Sequence, residues 1–197
     1  MRGAALLARR ARAVNLRGHQ RDSVRSHRPA NHGAELNVSI TSDGSYFEDF
    51  NVGDTLIHQR GRTITEADNH NFTSLVMNTA ELHFNQDLID KNPGAYVGGK
   101  LLVYGGVVLA FTVGLASEDT SENAIAEVEM DNGKHTNPVF HGDTIYAEST
   151  VLEKRDADRP DAGLVKFKLI GKKPDGTVVV EIERTVLIKR KTHYLPA

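Results

Sequence analysis

The segment LLVYGGVVLAFTVGLA, at Leu101–Ala116, decides the fold of this chain. It carries no charged residue, and glycine recurs in it at Gly105, Gly106 and Gly114. A helix that is apolar on all sides is one that other elements enclose. The segment is also shorter than the roughly 20 residues that cross a bilayer. We therefore predict a central, buried helix.

The residues after this helix change to an alternation of apolar and polar side chains, which is typical of strands with one solvated face. Pro174-Asp175-Gly176 is a turn signal that joins the last two strands as an antiparallel hairpin. The predicted strands are residues 55–64, 123–130, 144–154, 164–173 and 177–189. The sequence thus predicts an α+β domain, with one antiparallel sheet wrapped around the central apolar helix.

A further helix is predicted between the first strand and the central helix. Thr65 is a favourable N-cap, and Asp68 places negative charge in the first turn, where the helix dipole favours it. Phe72, Leu75 and Val76 follow at helical spacing. We expect these three side chains to form the buried stripe of this helix.

Composition excludes several classes of protein. The chain has 197 residues, 39% of them hydrophobic, which suits one domain with a sizeable core, or one domain plus a tail. The lack of cysteine excludes disulfides, thiolate metal sites and a cysteine nucleophile. Residues 1–37 hold eight of the 24 basic and two of the 26 acidic residues, so the remainder has a net charge of −8. An acidic body argues against nucleic acid as a partner.

Residues 1–43 are rich in arginine, and we leave them out of the predicted fold. Three interpretations stay open: a cleaved transit peptide, a basic arm for an anionic partner, or a disordered or non-native extension upstream of a start at Val38. We prefer the third. The domain is then predicted at residues 44–191, with a C-terminal tail at 192–197. The expected compartment is the cytoplasm, or the mitochondrion if residues 1–37 are a transit peptide.

Four segments of the chain carry a resemblance to a known family. They are YFEDFNVGDT (Tyr46–Thr55), GRTITEADNHNFTSLVMNTAELHFN (Gly61–Asn85), GGKLL (Gly98–Leu102) and NPVFHGDTIYAESTVLEKR (Asn137–Arg155). In this order they resemble the MaoC-like (R)-specific enoyl-CoA hydratases and dehydratases. The resemblance implies a single hot-dog fold and a lyase that adds water to an enoyl-CoA thioester or removes it.

The family's catalytic motif, Asp-x-Asn-Pro-hydrophobic-His, aligns with Asn78–His83. The resemblance implies that the His83 imidazole is the general base toward water and then the proton donor to the substrate. Asn78 stands where the family has an acid, and an amide orients water but does not take its proton. On one continuous helix these two side chains would point about 140° apart. Their convergence therefore requires the chain to bend between them.

The resemblance also implies that the Gly99 amide faces the thioester oxygen, with Gly98-Gly99 predicted to open the central helix. His135, His141 and Asp143 match no strong metal-binding spacing, so we predict no metal site. The CoA is part of the substrate, and no separate cofactor is implied.

We expect a hydratase or dehydratase of an acyl-CoA thioester. The NTxxLHF form of the motif favours a branched or dicarboxylic C5 unit of the mesaconyl, itaconyl or methylmalyl type. Two alternatives stay open: an acyl-CoA thioesterase, and a catalytically degenerate hot-dog subunit that binds acyl-CoA. One hot-dog unit leaves two sheet edges exposed, and such edges pair readily. We therefore expect a homodimer or a higher even oligomer, and no membrane partner.

Overall fold

The computed structural model of the protein describes residues 37–38 and 44–194. Within them lie the strands β1 (Asn37–Val38), β2 (Thr55–Thr63), β3 (Ala124–His135), β4 (Thr144–Asp156), β5 (Ala162–Lys172) and β6 (Val178–Lys189). The helices are α1 (Glu66–Leu75), α2 (Gln86–Lys91), α3 (Gly105–Thr120) and α4 (Lys191–Tyr194). The three interpretations of the N-terminal segment concern residues that, apart from 37–38, lie outside this description.

The six strands form one sheet in the order β1-β2-β4-β5-β6-β3. β1 is parallel to β2, and every other neighbouring pair is antiparallel. The predicted turn between β5 and β6 is confirmed, because Gly176 has a φ of 86° and its amide donates to the carbonyl oxygen of Lys173. Glycine is favoured there since a side chain resists a positive φ.

Helix α3 packs against the sheet, in contact with β2, β4, β5 and β6. Val107 and Val108 are buried in one cluster with side chains from the sheet and the neighbouring loops, among them Ile64, Ile145, Val139, Val179 and Val180. Gly171 of β5 lies so close to α3 that a Cβ atom there would be 2.4 Å from the Oγ1 of Thr112. The predicted α+β architecture, a sheet wrapped around one apolar helix, is confirmed. None of the helices in the described part of the chain is long and apolar enough to cross a membrane.

The predicted bounds of the central helix were wrong. α3 begins at Gly105 and ends at Thr120, later at both ends than expected. The preceding residues are extended: Leu102 forms a β-bridge with Phe140, and the Val103 amide donates to the carbonyl oxygen of Val139 at 2.8 Å. A short apolar run suits a buried strand as well as a buried helix, so periodicity did not separate the two. Gly98-Gly99 consequently lies in a separate 3₁₀ turn, Val97–Gly99, and does not open α3.

The predicted apolar stripe on α1 was wrong at two of its three positions. Phe72 is partly buried against the core, but Leu75 is 79% and Val76 43% exposed. The fully buried residues of α1 are Asn69 and Thr73. The predicted N-cap is confirmed, since the Oγ1 of Thr65 accepts from the Asp68 amide at 3.1 Å. Two buried side chains of α1 are therefore polar, and a buried polar side chain requires hydrogen-bond partners.

Candidate active site

His83 ends the 3₁₀ turn Glu81–His83 and is buried, with 7% of its surface exposed. Its Nδ1 atom lies 2.9 Å from the carbonyl oxygen of Leu102. A carbonyl oxygen only accepts, so Nδ1 carries a hydrogen and the neutral ring has its lone pair on Nε2. An imidazole held in this tautomer is prepared to take a proton at Nε2.

His83 lines a cavity of about 380 Å³ beside the N-terminus of α3. The Tyr104 ring stands edge-on to the His83 ring, with 5.5 Å between the ring centroids. Gly105 places the first residue of α3 at the cavity wall, and the first amides of a helix have no acceptor within that helix. His135, Thr136 and Asn137 are polar lining residues, and the apolar lining consists of Leu102, Val103, Val108, Pro138, Val139 and Val179.

Asn78 lies after the end of α1, where Met77 has a φ of 55°. Its Oδ1 accepts from the Ala80 amide at 2.9 Å, which forms a turn. The chain thus bends between Asn78 and His83, as their convergence requires. Asn78 is, however, outside the set of residues that line the His83 cavity. Its catalytic role stays a prediction.

Gly99 is exposed and has a φ of 59°. Its amide donates to the carbonyl oxygen of Tyr96 at 3.3 Å, within the 3₁₀ turn. Gly99 is also outside the lining of the His83 cavity, where Gly105 is the glycine present. The role of Gly99 toward a thioester oxygen therefore stays a prediction.

The three residues weighed as metal ligands make separate contacts. His135 lines the His83 cavity, and the Nε2 of His141 lies 3.1 Å from the side-chain Nδ2 of Asn69. Asp143 accepts from the Phe140 amide and pairs with Lys173 at 2.7 Å. Burial lowers the pKa of His141, and the nearby His70 lowers it further, whereas Glu66 acts in the opposite direction. Among residues 37–38 and 44–194, no group of three or more metal-binding side chains is arranged to hold an ion.

The sequence reasoning missed two residues beside His83. Tyr104 packs against the ring, and Asn69 is fully buried and hydrogen-bonded to the carbonyl oxygen of His83 at 2.9 Å. A polar residue in a helical pattern is normally assigned to the solvated face, so Asn69 gave no signal. Tyr104 lies within the segment that the sequence predicts as the central apolar helix.

Two solved structures share the fold of this chain. A conserved hypothetical protein from Mycobacterium tuberculosis with a double hot-dog fold matches with a TM-score of 0.68, over 78% of this chain and 47% of that one, at 20% identity. A protein from Chloroflexus aurantiacus described as a MaoC domain dehydratase matches with a TM-score of 0.68 at 32% identity, over 76% of this chain and 45% of that one. The fold is therefore the predicted hot-dog fold of the MaoC-like proteins.

The family follows from the sequence comparison. The chain matches the family model described as mesaconyl-CoA hydratase over residues 3–190, and it belongs to that family. The β-methylmalyl-CoA dehydratase of Chloroflexus aurantiacus is 31% identical over 174 residues, which are 80% of this chain and 48% of the relative. The chain spans about half the length of the curated relatives it matches.

Proposed function

We propose that this chain hydrates an enoyl-CoA thioester, or dehydrates the corresponding hydroxyacyl-CoA, with a branched or dicarboxylic C5 acyl group. The observation that carries the proposal is His83, whose Nδ1 is fixed on the carbonyl oxygen of Leu102 while its ring lines a largely apolar cavity. Relatives named for β-methylmalyl-CoA and mesaconyl-CoA support this class of substrate. The CoA arrives with the substrate, so the proposal includes no separate cofactor.

In the proposed reaction His83 first accepts a proton from a water molecule and then donates it to the substrate. Its Nε2 takes a proton from the water, and the hydroxyl adds to the β-carbon of the enoyl thioester. The electron pair of the double bond moves toward the α-carbon and the thioester oxygen. The imidazolium then returns the proton to the α-carbon, so one water supplies both the hydroxyl and the hydrogen. General acid–base catalysis of this kind contributes about 10²–10⁴-fold.

The negative charge on the thioester oxygen requires a hydrogen-bond donor. Gly105 is the glycine at the cavity wall, and its amide opens α3. Gly99 would serve only after its amide leaves the carbonyl oxygen of Tyr96. We therefore propose Gly105 as the donor in the conformation described, with Gly99 as the donor if the turn Val97–Gly99 rearranges on binding. One such donor is worth roughly 3 kcal/mol in the transition state.

The size of the cavity agrees with a short acyl chain. Sites for small molecules hold roughly 300–1,000 Å³, and this cavity of about 380 Å³ is at the lower end. It can enclose the reacting end of a thioester, while the rest of the CoA extends outside. His135, Thr136 and Asn137 are polar lining residues that a substrate carboxylate could contact.

The test uses the purified full chain with mesaconyl-CoA and, separately, crotonyl-CoA. Double-bond absorbance and free CoA thiol are followed in parallel. Loss of absorbance without thiol supports the hydratase, and faster turnover of mesaconyl-CoA supports the C5 substrate. Thiol release supports the thioesterase alternative instead. Binding of acyl-CoA without either change supports the degenerate subunit.

We also propose that two copies assemble through β3. β3 is an edge strand that pairs with β6 on one side, and its exposed side chains include Val128 at 57% and Met130 at 46%. An unpaired edge with exposed apolar side chains is a template for another strand. The double hot-dog fold of the Mycobacterium tuberculosis protein supports such pairing, because it joins two units in one chain.

Light scattering tests this assembly. We expect twice the chain mass of 21.6 kDa, and we expect Val128→Glu to shift the protein toward the monomer. Val52→Glu is the matched control, since Val52 is 62% exposed and lies outside the strands. A monomer at micromolar concentration that still hydrates enoyl-CoA would contradict the proposal.

The compartment is likewise a proposal: the cytoplasm, with the mitochondrion as the alternative if residues 1–37 act as a transit peptide. Cell fractionation of the full chain and of a chain lacking residues 1–36, both tagged at the C-terminus, measures it. Movement of the full chain alone into mitochondria would support the alternative.

A further inference from the structure

Asn69 of α1 is completely buried and connects three separate segments of the chain. Its Nδ2 donates to the carbonyl oxygen of His83 at 2.9 Å and lies 3.1 Å from the Nε2 of His141. The same nitrogen is 3.4 Å from the carbonyl oxygen of Leu102. Its Oδ1 accepts from the Tyr104 amide at 2.9 Å. One carboxamide thus links the turn that carries His83, the segment at residues 102–104 and His141.

The chemistry of these partners fixes the orientation of the carboxamide. Its nitrogen carries two hydrogens and its oxygen only accepts. The nitrogen faces two carbonyl oxygens, and the oxygen faces an amide. The reversed orientation would set oxygen against oxygen and nitrogen against an amide hydrogen. The two short bonds therefore take the two hydrogens, and the Leu102 carbonyl oxygen keeps its better bond with the Nδ1 of His83, at 2.9 Å.

These contacts let Asn69 support the hydrogen bond between His83 and Leu102, which selects the His83 tautomer. The Leu102 carbonyl oxygen accepts from His83, and Asn69 holds the backbone on both sides of that bond: the His83 carbonyl and the Tyr104 amide. If Asn69 were lost, the turn Glu81–His83 and the segment at residues 102–104 would shift relative to each other. The imidazole would then lose its fixed orientation. The hydrogen bond at one ring nitrogen of a functional histidine sets the tautomer and the orientation of the ring, and so do the groups that support this bond.

We infer that Asn69 is a positioning residue that holds His83 in its Nδ1-protonated tautomer and aims its ring at the cavity. Its significance for catalysis rests on the proposed function. The positioning itself is a property of the folded chain and is measurable without substrate.

His141 completes the set of contacts. Its Nε2 faces a donor, so it accepts, and the neutral ring carries its hydrogen on Nδ1. Protonation at Nε2 would point a hydrogen at the Asn69 amide group and break this contact. The charged and titratable groups that act on His141 from α1 are Glu66 and His70, and Lys100 lines the same surface recess as His141.

The test compares Asn69→Asp with two controls. Asn69→Asp keeps the shape and the acceptor for the Tyr104 amide, but it replaces the donor that bonds the His83 carbonyl. Asn71→Asp makes the same chemical change at an exposed position of α1. Thr112→Val removes a different buried hydrogen bond, from the Thr112 hydroxyl to the Val108 carbonyl. Asn69→Ala is the second variant, because it removes the contacts without placing a carboxyl group in the core.

Two readouts are taken on folded protein, verified by circular dichroism. NMR spectra of ¹⁵N-labelled histidine report which His83 nitrogen carries the hydrogen. Kinetics with the enoyl-CoA substrate separate kcat from KM. We expect both Asn69 variants to change the nitrogen chemical shifts of His83, and to lower kcat at least about tenfold with KM within threefold, as for a misplaced reacting group. The two controls should leave the His83 spectrum unchanged.

Unchanged His83 spectra in whichever Asn69 variant folds would overturn the inference, whatever the rate. A His83 that carries its hydrogen on Nε2 in the unaltered protein would overturn it as well. A chain without hydratase activity whose His83 spectrum still responds to Asn69 would retain the positioning role and reject the proposed function. The two failures are therefore distinguishable.

Discussion

His58 and His83 are both buried histidines with very different surroundings. His58 of β2 is 2% exposed, with its Nδ1 2.5 Å from the Oδ2 of Asp119 and its Nε2 2.8 Å from the Oγ of Ser149. Both ring nitrogens are thus hydrogen-bonded to side chains. In His83, Nδ1 is bonded to a backbone carbonyl and the ring lines a cavity.

An order of contacts does not by itself make a catalytic site. Ser149, His58 and Asp119 are connected in the order of a nucleophilic triad. Ser149 is fully buried, however, and none of the three lines the cavity of His83. A general base requires a nitrogen that can reach substrate. We therefore assign His58 to stability, where it joins α3 to β2 and β4. His83 stays the proposed general base, because its ring lines the cavity.

The largest expected effect is that of His83→Ala on turnover. Removal of the only imidazole proposed to move protons should lower kcat by about two to four orders of magnitude. The free energy of unfolding should change little by comparison, because the lost side chain lines a cavity. Steady-state kinetics with mesaconyl-CoA and urea unfolding measure the two quantities. A rate within threefold of the unaltered protein would remove His83 from the mechanism.

His58→Ala should have the reverse profile. It removes the buried hydrogen bonds that Asp119 and Ser149 make with the His58 ring, and breaking such an arrangement costs about 3 kcal/mol or more in the free energy of unfolding. Turnover per folded molecule should stay within threefold. Urea unfolding measures the free energy of unfolding, and steady-state kinetics below the unfolding transition measure turnover per folded molecule. If the folded variant loses turnover while keeping its stability, the contrast between the two histidines is wrong.

A smaller effect is expected at Asn78. Asn78→Ala removes the acceptor for the Ala80 amide and loosens the bend before His83, so we expect a loss of up to about tenfold in kcat, less than for His83→Ala. Asn78→Asp restores the family's acid and tests it directly. Rates unchanged by both substitutions would limit Asn78 to a role in the turn.

The smallest expected effect concerns pH and His141. Burial lowers the pKa of His141 in the folded state below the ordinary value of 6.5. Its contribution to stability is therefore present above pH 6.5 and is lost as the pH falls through the lowered pKa, with a slope of at most about 1.4 kcal/mol per pH unit. His141→Gln keeps an acceptor for Asn69 but does not titrate. Urea unfolding between pH 7 and pH 5 should show a shallower decline in this variant, and equal slopes would contradict the assignment.

The sequence predicted the parts of this molecule that depend on local pattern. The alternating strands, the Thr65 cap and the turn at Gly176 follow from neighbouring residues, and the structure confirms them. The start of α3 did not follow, because Leu102 pairs with Phe140, 38 residues further along the chain, in a way that apolar content does not encode.

The candidate site divides in the same way. The motif resemblance located His83, but the bond from its Nδ1 to Leu102 spans 19 residues and became visible only in the fold. Asn69 illustrates the limit most clearly, since its side chain is buried for hydrogen bonding rather than for apolar contact. Pattern analysis of hydrophobicity does not detect a residue of that kind.

The two-residue strand β1 has a consequence for any shortened form of this protein. β1 runs parallel to β2 and pairs at Leu56 and Ile57, so it covers part of the sheet edge opposite β3. A chain cut at residue 44 would leave that edge bare along β2. Exposed strand edges promote ordered aggregation. We expect such a chain to form polymers through this edge. In size-exclusion chromatography they would be mistaken for a higher native oligomer.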